Sequence, residues 1–250
     1  MKGIKGKTAF ITGAGSGIGA AAAIHLAELG AQVICTDVNV DSVQSIHDRI
    51  LSSGGVSHCY ELDVSNFEAI VEVIGKITGD LGPIQLAFNN AGIGGQGGSF
   101  HEMTIENWNR VMDINLTGLM VCMREELKSM MGNGGGNIVN VASLAGLNGM
   151  PYGAHYCATK HAVIGLTKTA ALEYGKHNIR VNSICPGFID TPILEGVPEN
   201  ILNYSTQVRV PLKRIGTPTE VANTVAWLMS DEASYINAHS MQIDGGFMAG

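Results

Sequence analysis

A chain of 250 residues with 45% hydrophobic side chains can bury a full-sized core without disulfides or metal. Its five cysteines, at 35, 59, 122, 157 and 185, are odd in number, scattered and without ligand spacing, which argues against both a disulfide framework and a zinc site. A formal charge of −7 with no basic cluster speaks against nucleic acid or an anionic membrane as a partner.

No Pro/Ser-rich linker, low-complexity run or long repeat interrupts the chain, so residues 1–250 are expected to form one domain. The N-terminal MKGIKGKTAFITGAG has no uninterrupted apolar stretch, and no 18-residue apolar run follows. A soluble, cytoplasmic protein is the expectation.

The first elements form a strand, a glycine loop and a helix. Residues 7–12 (KTAFIT) are β-prone, and Ile18 to Leu29 carry apolar residues at helical spacing. Between them runs Gly13-Ala14-Gly15-Ser16-Gly17-Ile18-Gly19. Glycines there let backbone amides approach a pyrophosphate with no Cβ in the way, and the helix N-terminus points at its charge. The next strand, 31–37, ends at Asp37, 18 positions after Gly19, where a dinucleotide fold places a carboxylate for the adenosine ribose. Asp37 would accept from the ribose hydroxyls and repel a 2′-phosphate. Neither the loop nor residues 38–40 hold a Lys or Arg to welcome one, which predicts NAD(H) over NADP(H).

The alternation continues with a helix over about 40–53, a strand over 56–62 closing on Asp63-Val64, a helix over 66–80 and a strand over 84–88 that meets Asn89-Asn90-Ala91-Gly92. Such βα alternation predicts a parallel sheet covered on both faces, with ligands at the edge where the strands end. A glycine-rich stretch, 92–99, precedes one long helix over about 104–131 that contains Asn115, whose amide is expected to serve the interior. The strand 137–143 brings Ser143 to the ligand edge. A helix over about 153–176 starts with Tyr156-Cys157-Ala158-Thr159-Lys160. Residues four apart share a helix face, so the Lys160 ammonium can stabilise a Tyr156 phenolate and make a base. His155 and His161 are expected at the surface or behind the site.

Residues 188–212 break the rhythm between a strand over 178–185 and a helix from about Thr217, as a lid does. Its Ile193, Leu194, Val197, Ile201, Leu202 and Tyr204 offer an apolar wall, and Glu195 and Glu199 discourage anions. Leu144, Leu147, Met150 and Tyr152 are candidates for the opposing wall, which suits a neutral secondary alcohol or ketone. A run over 240–244 completes the sheet before a short tail.

The ordered set Thr12-Gly13-x-x-x-Gly17-Ile18-Gly19, Asn89-Asn90-Ala91-Gly92, Asn115, Ser143, Tyr156-x-x-x-Lys160 and Pro186-Gly187 resembles the short-chain dehydrogenase/reductase family along the whole chain. The resemblance implies a doubly wound Rossmann-like α/β domain with a seven-stranded parallel sheet, homotetramers, and hydride transfer between a nicotinamide and a carbonyl or alcohol carbon. It also implies roles by position. Tyr156 would be the general acid/base, and Lys160 would lower its pKa and hold the nicotinamide ribose. Ser143 would orient the reacting oxygen, and Asn115 would bind a water that links Lys160 to solvent. Gly13, Gly15, Ser16, Gly17, Ile18 and Gly19 would cradle the phosphates. Asp37 with Val38 would take the adenosine ribose, and Asp63 and Val64 the adenine. Asn90, Ala91 and Gly92 would support the adenine ribose, and Pro186, Gly187, Ile189 and Thr191 would seat the carboxamide. Two rivals are a 3-oxoacyl carrier-protein reductase using NADPH, which Asp37 and the charge-poor MGNGGGN segment oppose, and a non-catalytic nucleotide-binding regulator, which the intact Ser143, Tyr156 and Lys160 oppose.

Overall fold

The structure, a computed structural model, describes residues 1–195 and 197–250. Seven parallel strands form one sheet in the order β3-β2-β1-β4-β5-β6-β7. They are β1 (Thr8–Thr12), β2 (Gln32–Asp37), β3 (Val56–Glu61), β4 (Leu86–Asn89), β5 (Gly136–Val141), β6 (Ile179–Pro186) and β7 (Ser240–Ile243). The order reverses between β1 and β4, so the strand ends there open a crevice. Alternate residues of β1 feed opposite faces: Ala9 and Ile11 pack under α1 (Gly17–Glu28), α2 (Val40–Ser52) and α8 (Pro218–Met229), whereas Phe10 packs under α3 (Phe67–Leu81), α5 (Leu119–Met130) and α6 (Ala154–Tyr174). This two-sided burial explains why the central strands read as nearly continuous apolar runs.

The expected helix over 104–131 is instead α4 (Ile105–Met112), a π turn (Asp113–Gly118) and α5. The close approach lies at Gly118, where an added Cβ would run into the Val64 carbonyl. The wider turn carries the chain past β3's end and keeps Asn115 fully buried. The lid stalk is pinned where Ile189 bridges Gly216, and a short α7 (Glu199–Tyr204) follows. Gly196, within the expected lid, lies outside the described residues. Among the described residues no helix is long and apolar enough to cross a membrane.

Side-chain caps close the N-termini of α2 (Asn39), α3 (Asn66), α4 (Thr104) and α8, where Thr217 and Glu220 form a capping box. In contrast, Ser16 makes no side-chain cap on α1, and the first turn of α1 holds no acid. Its first amides therefore have no side-chain acceptor.

Candidate active site

A cleft of about 570 Å³ sits over the β1/β4 switch point. Of the residues that the sequence puts forward, Gly13, Ser16, Gly17, Ile18, Asp37, Val38, Asp63, Val64, Asn90, Ala91, Gly92, Ser143, Tyr156, Lys160, Pro186, Gly187, Ile189 and Thr191 line it. Gly15, Gly19 and Asn115 do not, and each supports its wall from behind.

The glycine loop is held from two sides. The Asn90 amide donates to the carbonyls of Thr12 at 3.1 Å and Gly13 at 2.9 Å. The Thr12 hydroxyl accepts from the Asn90 and Ala91 amides, each at 3.1 Å. On the other flank, Asp37 Oδ2 accepts from Gly15 N–H and Oδ1 from Asn39 N–H, both at 2.9 Å. A Cβ at Gly15 would lie 2.9 Å from that carboxylate, and one at Gly19 would run into the Gly13 carbonyl, so both glycines are required for close approach. Gly17, at φ +52°, faces Thr191 across the cleft. The resulting cradle has unclaimed helix amides at one end and a carboxylate at the other, and it fits a dinucleotide's pyrophosphate and ribose.

At the other end, Lys160 is 3% exposed and its Nζ donates to the Val141 carbonyl at 2.8 Å. The same Nζ lies 5.5 Å from the centre of the Tyr156 ring, so one helical turn delivers both groups to one place. Burial pulls the Lys160 ammonium down to about 8. Burial also raises the Tyr156 phenol, with Cys157 adding to the rise and the Ser143 hydroxyl opposing it. Enclosure favours the neutral form of each group alone, so a phenolate there forms only with the ammonium opposite it. Ser143 lies two residues past the end of β5 and caps the short turn Leu144–Gly146, its Oγ accepting from Ala145 N–H at 3.1 Å, which fixes the hydroxyl beside Tyr156. The Asn115 side chain pairs with the backbone of Ile93, donating to its carbonyl and accepting from its amide at 2.8 Å each. It therefore fixes the loop after Gly92.

Two expectations at the margins need correction, those for the lid and the opposing wall. His155 takes the second of its two expected places, fully buried behind the site: it packs beneath Gly95, at φ +71°, where a Cβ would strike the imidazole and Val111. Burial lowers its pKa. From the lid, Ile193, Leu194 and Glu195 reach the cleft, whereas Ile201 and Tyr204 are mostly exposed. Of the opposing wall, Leu144 is buried against the Gly187 side of the site, whereas Met150 and Tyr152 face solvent. Asp63 is exposed at the rim, where it takes the Ser65 amide at 2.8 Å and hydroxyl at 2.7 Å. Sequence reasoning missed Thr12 as a junction, although a strand-end Thr before the first glycine was its visible signal. Ile93 and Gly95 carried no signal of their own. Among the described residues no three His, Cys, Asp or Glu side chains converge on a metal position.

Residues 13–248 match a family model described as enoyl-(acyl carrier protein) reductase, and named dehydrogenases and reductases are similar along the whole chain. The chain belongs to the short-chain dehydrogenase/reductase family. Among curated members, it is 41% identical over 242 residues to cyclohexanol dehydrogenase of Acinetobacter sp. (strain SE19), covering 96% of this chain and 94% of the other. The solved structure of levodione reductase superposes with a TM-score of 0.94 at 36% identity, over 98% of each chain. A solved member from Beutenbergia cavernae, with NADP bound at low occupancy, superposes with a TM-score of 0.93 at 32% identity over 98% of each chain.

Proposed function

We propose that this family member interconverts a neutral, largely apolar secondary alcohol and its ketone with NAD(H), and that Tyr156 is its general acid/base. One observation carries the reading: Ser143, Tyr156 and Lys160 converge at one end of a cleft whose other end is an uncapped helix N-terminus faced by a carboxylate. The likeness to a cyclohexanol dehydrogenase supports a secondary alcohol of ring size, and Ile93, Ile193 and Leu194 give the cleft apolar lining for one. Glu195 at the rim disfavours an anionic substrate.

The dinucleotide would be held by the amides of the glycine loop, by Asp37 and Val38 at its adenosine ribose, and by Asp63 and Val64 at its adenine. Asn90, Ala91 and Gly92 form the floor, and Pro186, Gly187, Ile189 and Thr191 form the far wall. When bound, the nicotinamide supplies the hydride acceptor for oxidation and the donor for reduction. In oxidation, Tyr156 Oη takes the hydroxyl proton of the alcohol; in reduction it returns that proton to the carbonyl oxygen. Ser143 Oγ hydrogen-bonds the same oxygen and gains strength as charge develops there. At neutral pH Lys160, pulled to about 8, is still mostly cationic and offsets the charge on the phenolate. The π turn at Asn115 and a relayed water are proposed to link Lys160 to solvent. Residues 1–250 act as one unit with a lid over about 188–212, in a cytoplasmic homotetramer.

The family model's description favours a second reading, reduction of a carrier-linked acyl chain with NADPH. Asp37 and the net charge of −7 oppose both that cofactor and an acidic carrier. Initial rates on cyclic secondary alcohols with NAD and NADP, beside a carrier-linked 3-oxoacyl substrate with NADPH, separate the two. Turnover confined to the carrier-linked substrate would overturn the first reading.

A further inference from the structure

Beneath the cleft, a buried polar chain joins four elements. Glu126 on α5, Asn140 on β5 and Thr167 on α6 are fully buried, and Asn89 at the end of β4 is 2% exposed. The Asn89 amide nitrogen donates to Glu126 Oε2 at 2.9 Å and to Asn140 Oδ1 at 3.0 Å. The Asn140 amide nitrogen donates to Thr167 Oγ1 at 3.0 Å, and Thr167 Oγ1 donates to the Val163 carbonyl at 2.8 Å.

Counting hydrogens fixes the direction of this chain. A hydroxyl has one proton, and Thr167 gives it to Val163, so Thr167 must accept from the Asn140 amide. Asn140 then shows its carbonyl to Asn89, and Asn89 must answer with its NH₂. Both hydrogens of that NH₂ are spent. Two buried acceptors remain without a donor among the described residues, Asn89 Oδ1 and Glu126 Oε1. Leaving both unpaired in the interior is unfavourable, and a proton on Glu126 Oε1 would supply a donor for Asn89 Oδ1.

We propose that Glu126 is a carboxylic acid in the folded protein, its Oε1–H donating to Asn89 Oδ1 while Oε2 accepts from the Asn89 NH₂, and that this acid–amide ring positions the floor of the cleft. Burial pushes Glu126 up to about 8 against the Asn89 bond, so the acid form is the one expected at neutral pH. No ionised group of α3, β4, β5 or the π turn, the elements packed on α5, contributes to its titration. Cys122, one turn back, is the titratable neighbour, and burial holds it as a thiol. The other charges of α5 pair among themselves, Arg124 and Lys128 each bonding Glu125.

The ring reaches the site through adjacent residues. Asn89 precedes Asn90, which holds the glycine loop, and Asn140 precedes Val141, whose carbonyl holds Lys160. Thr167 lies on α6, which carries Tyr156 and Lys160. Glu126 itself touches neither a substrate nor a dinucleotide position, so it is a positioning residue.

The test compares the full-length wild type with Glu126→Gln, which offers the same donor and acceptor, and Glu126→Met, which offers neither. Infrared difference spectra of wild type minus Glu126→Gln at pH 6 should show the carbonyl band of a protonated carboxyl group, lost on alkaline titration. A folded-state pKa above the unfolded one gives stability that is present at low pH and lost as pH rises through about 8. The unfolding constant of the wild type should therefore rise relative to Glu126→Gln by up to about tenfold per pH unit between the two values. With NAD, Glu126→Gln should keep the wild-type Kd within about threefold, and Glu126→Met should weaken it about tenfold or more. A missing acid band, parallel pH–stability curves, or equal weakening of NAD by Gln and Met would overturn the proposal. The spectroscopic and unfolding arms need neither NAD binding nor a folded Met variant, so they stand apart from the proposed activity.

Discussion

Replacing Asp37 with alanine removes the carboxylate at the adenosine-ribose position of the cleft. Two effects act in the same direction on cofactor choice. The carboxylate would accept from the ribose hydroxyls, and a hydrogen bond to a charged group contributes about 1.5–3 kcal/mol. The same carboxylate repels a 2′-phosphate by about 4 kcal/mol per pair of unit charges at 4 Å and an effective dielectric of 20, roughly half of which survives at a partly exposed position. Loss of the Gly15 and Asn39 tethers, each 2.9 Å long, loosens the loop for both cofactors alike and cancels in a ratio. The ratio of kcat/KM for NAD over NADP should therefore fall by about 3.5–5 kcal/mol, on the order of 10³-fold and up to nearly 10⁴-fold. Initial rates with each dinucleotide at a saturating alcohol concentration measure it. A wild type that prefers NADP, or a ratio that moves less than about threefold, would refute the reasoning.

Lys160→Met should lose most activity yet gain stability at pH 7. Burial lowers the ammonium from 10.5 to about 8, a penalty of about 3 kcal/mol below pH 8 that is relieved as pH rises toward 10.5, and losing the Val141 bond returns about 1 kcal/mol of it. Urea unfolding at pH 7 and pH 10 should show the gain shrinking with pH; a gain that grows would be the wrong sign. Gly95→Ala should cost about 2 kcal/mol, because a positive φ and a clash with His155 and Val111 act together. Adding His155→Ala should recover about 1 kcal/mol or more of that loss, and strict additivity of the two changes would argue against the contact.

The sheet, most of its helices, the glycine loop and the Tyr156–Lys160 pair were legible because each rests on a local signal, whether apolar period, glycine where amides must approach, or a Tyr and Lys one turn apart, whereas Val38, Val64, Pro186, Gly187, Ile189 and Thr191 were named through the family resemblance alone. What escaped depends on residues far apart in sequence. The π turn arises from the approach of Gly118 to Val64, and helical periodicity cannot register a contact with another element. Glu126 stands in a run of charges in which Arg124 and Lys128 pair with Glu125, and only the three-dimensional contact shows that it faces Asn89 instead. The fate of His155 was hidden in the same way, set by Gly95 sixty positions earlier. The raised Tyr156 pKa reflects enclosure, which no spacing of Tyr and Lys can report.

Tyr156→Phe puts the proton-transfer claim at risk most directly, since it deletes one oxygen and leaves the ring packing in place. With NAD affinity measured by calorimetry and folding by circular dichroism, the account predicts binding within a few-fold of wild type and alcohol oxidation reduced by about 10²- to 10⁴-fold. A folded, NAD-binding variant that keeps a tenth or more of wild-type turnover would contradict it.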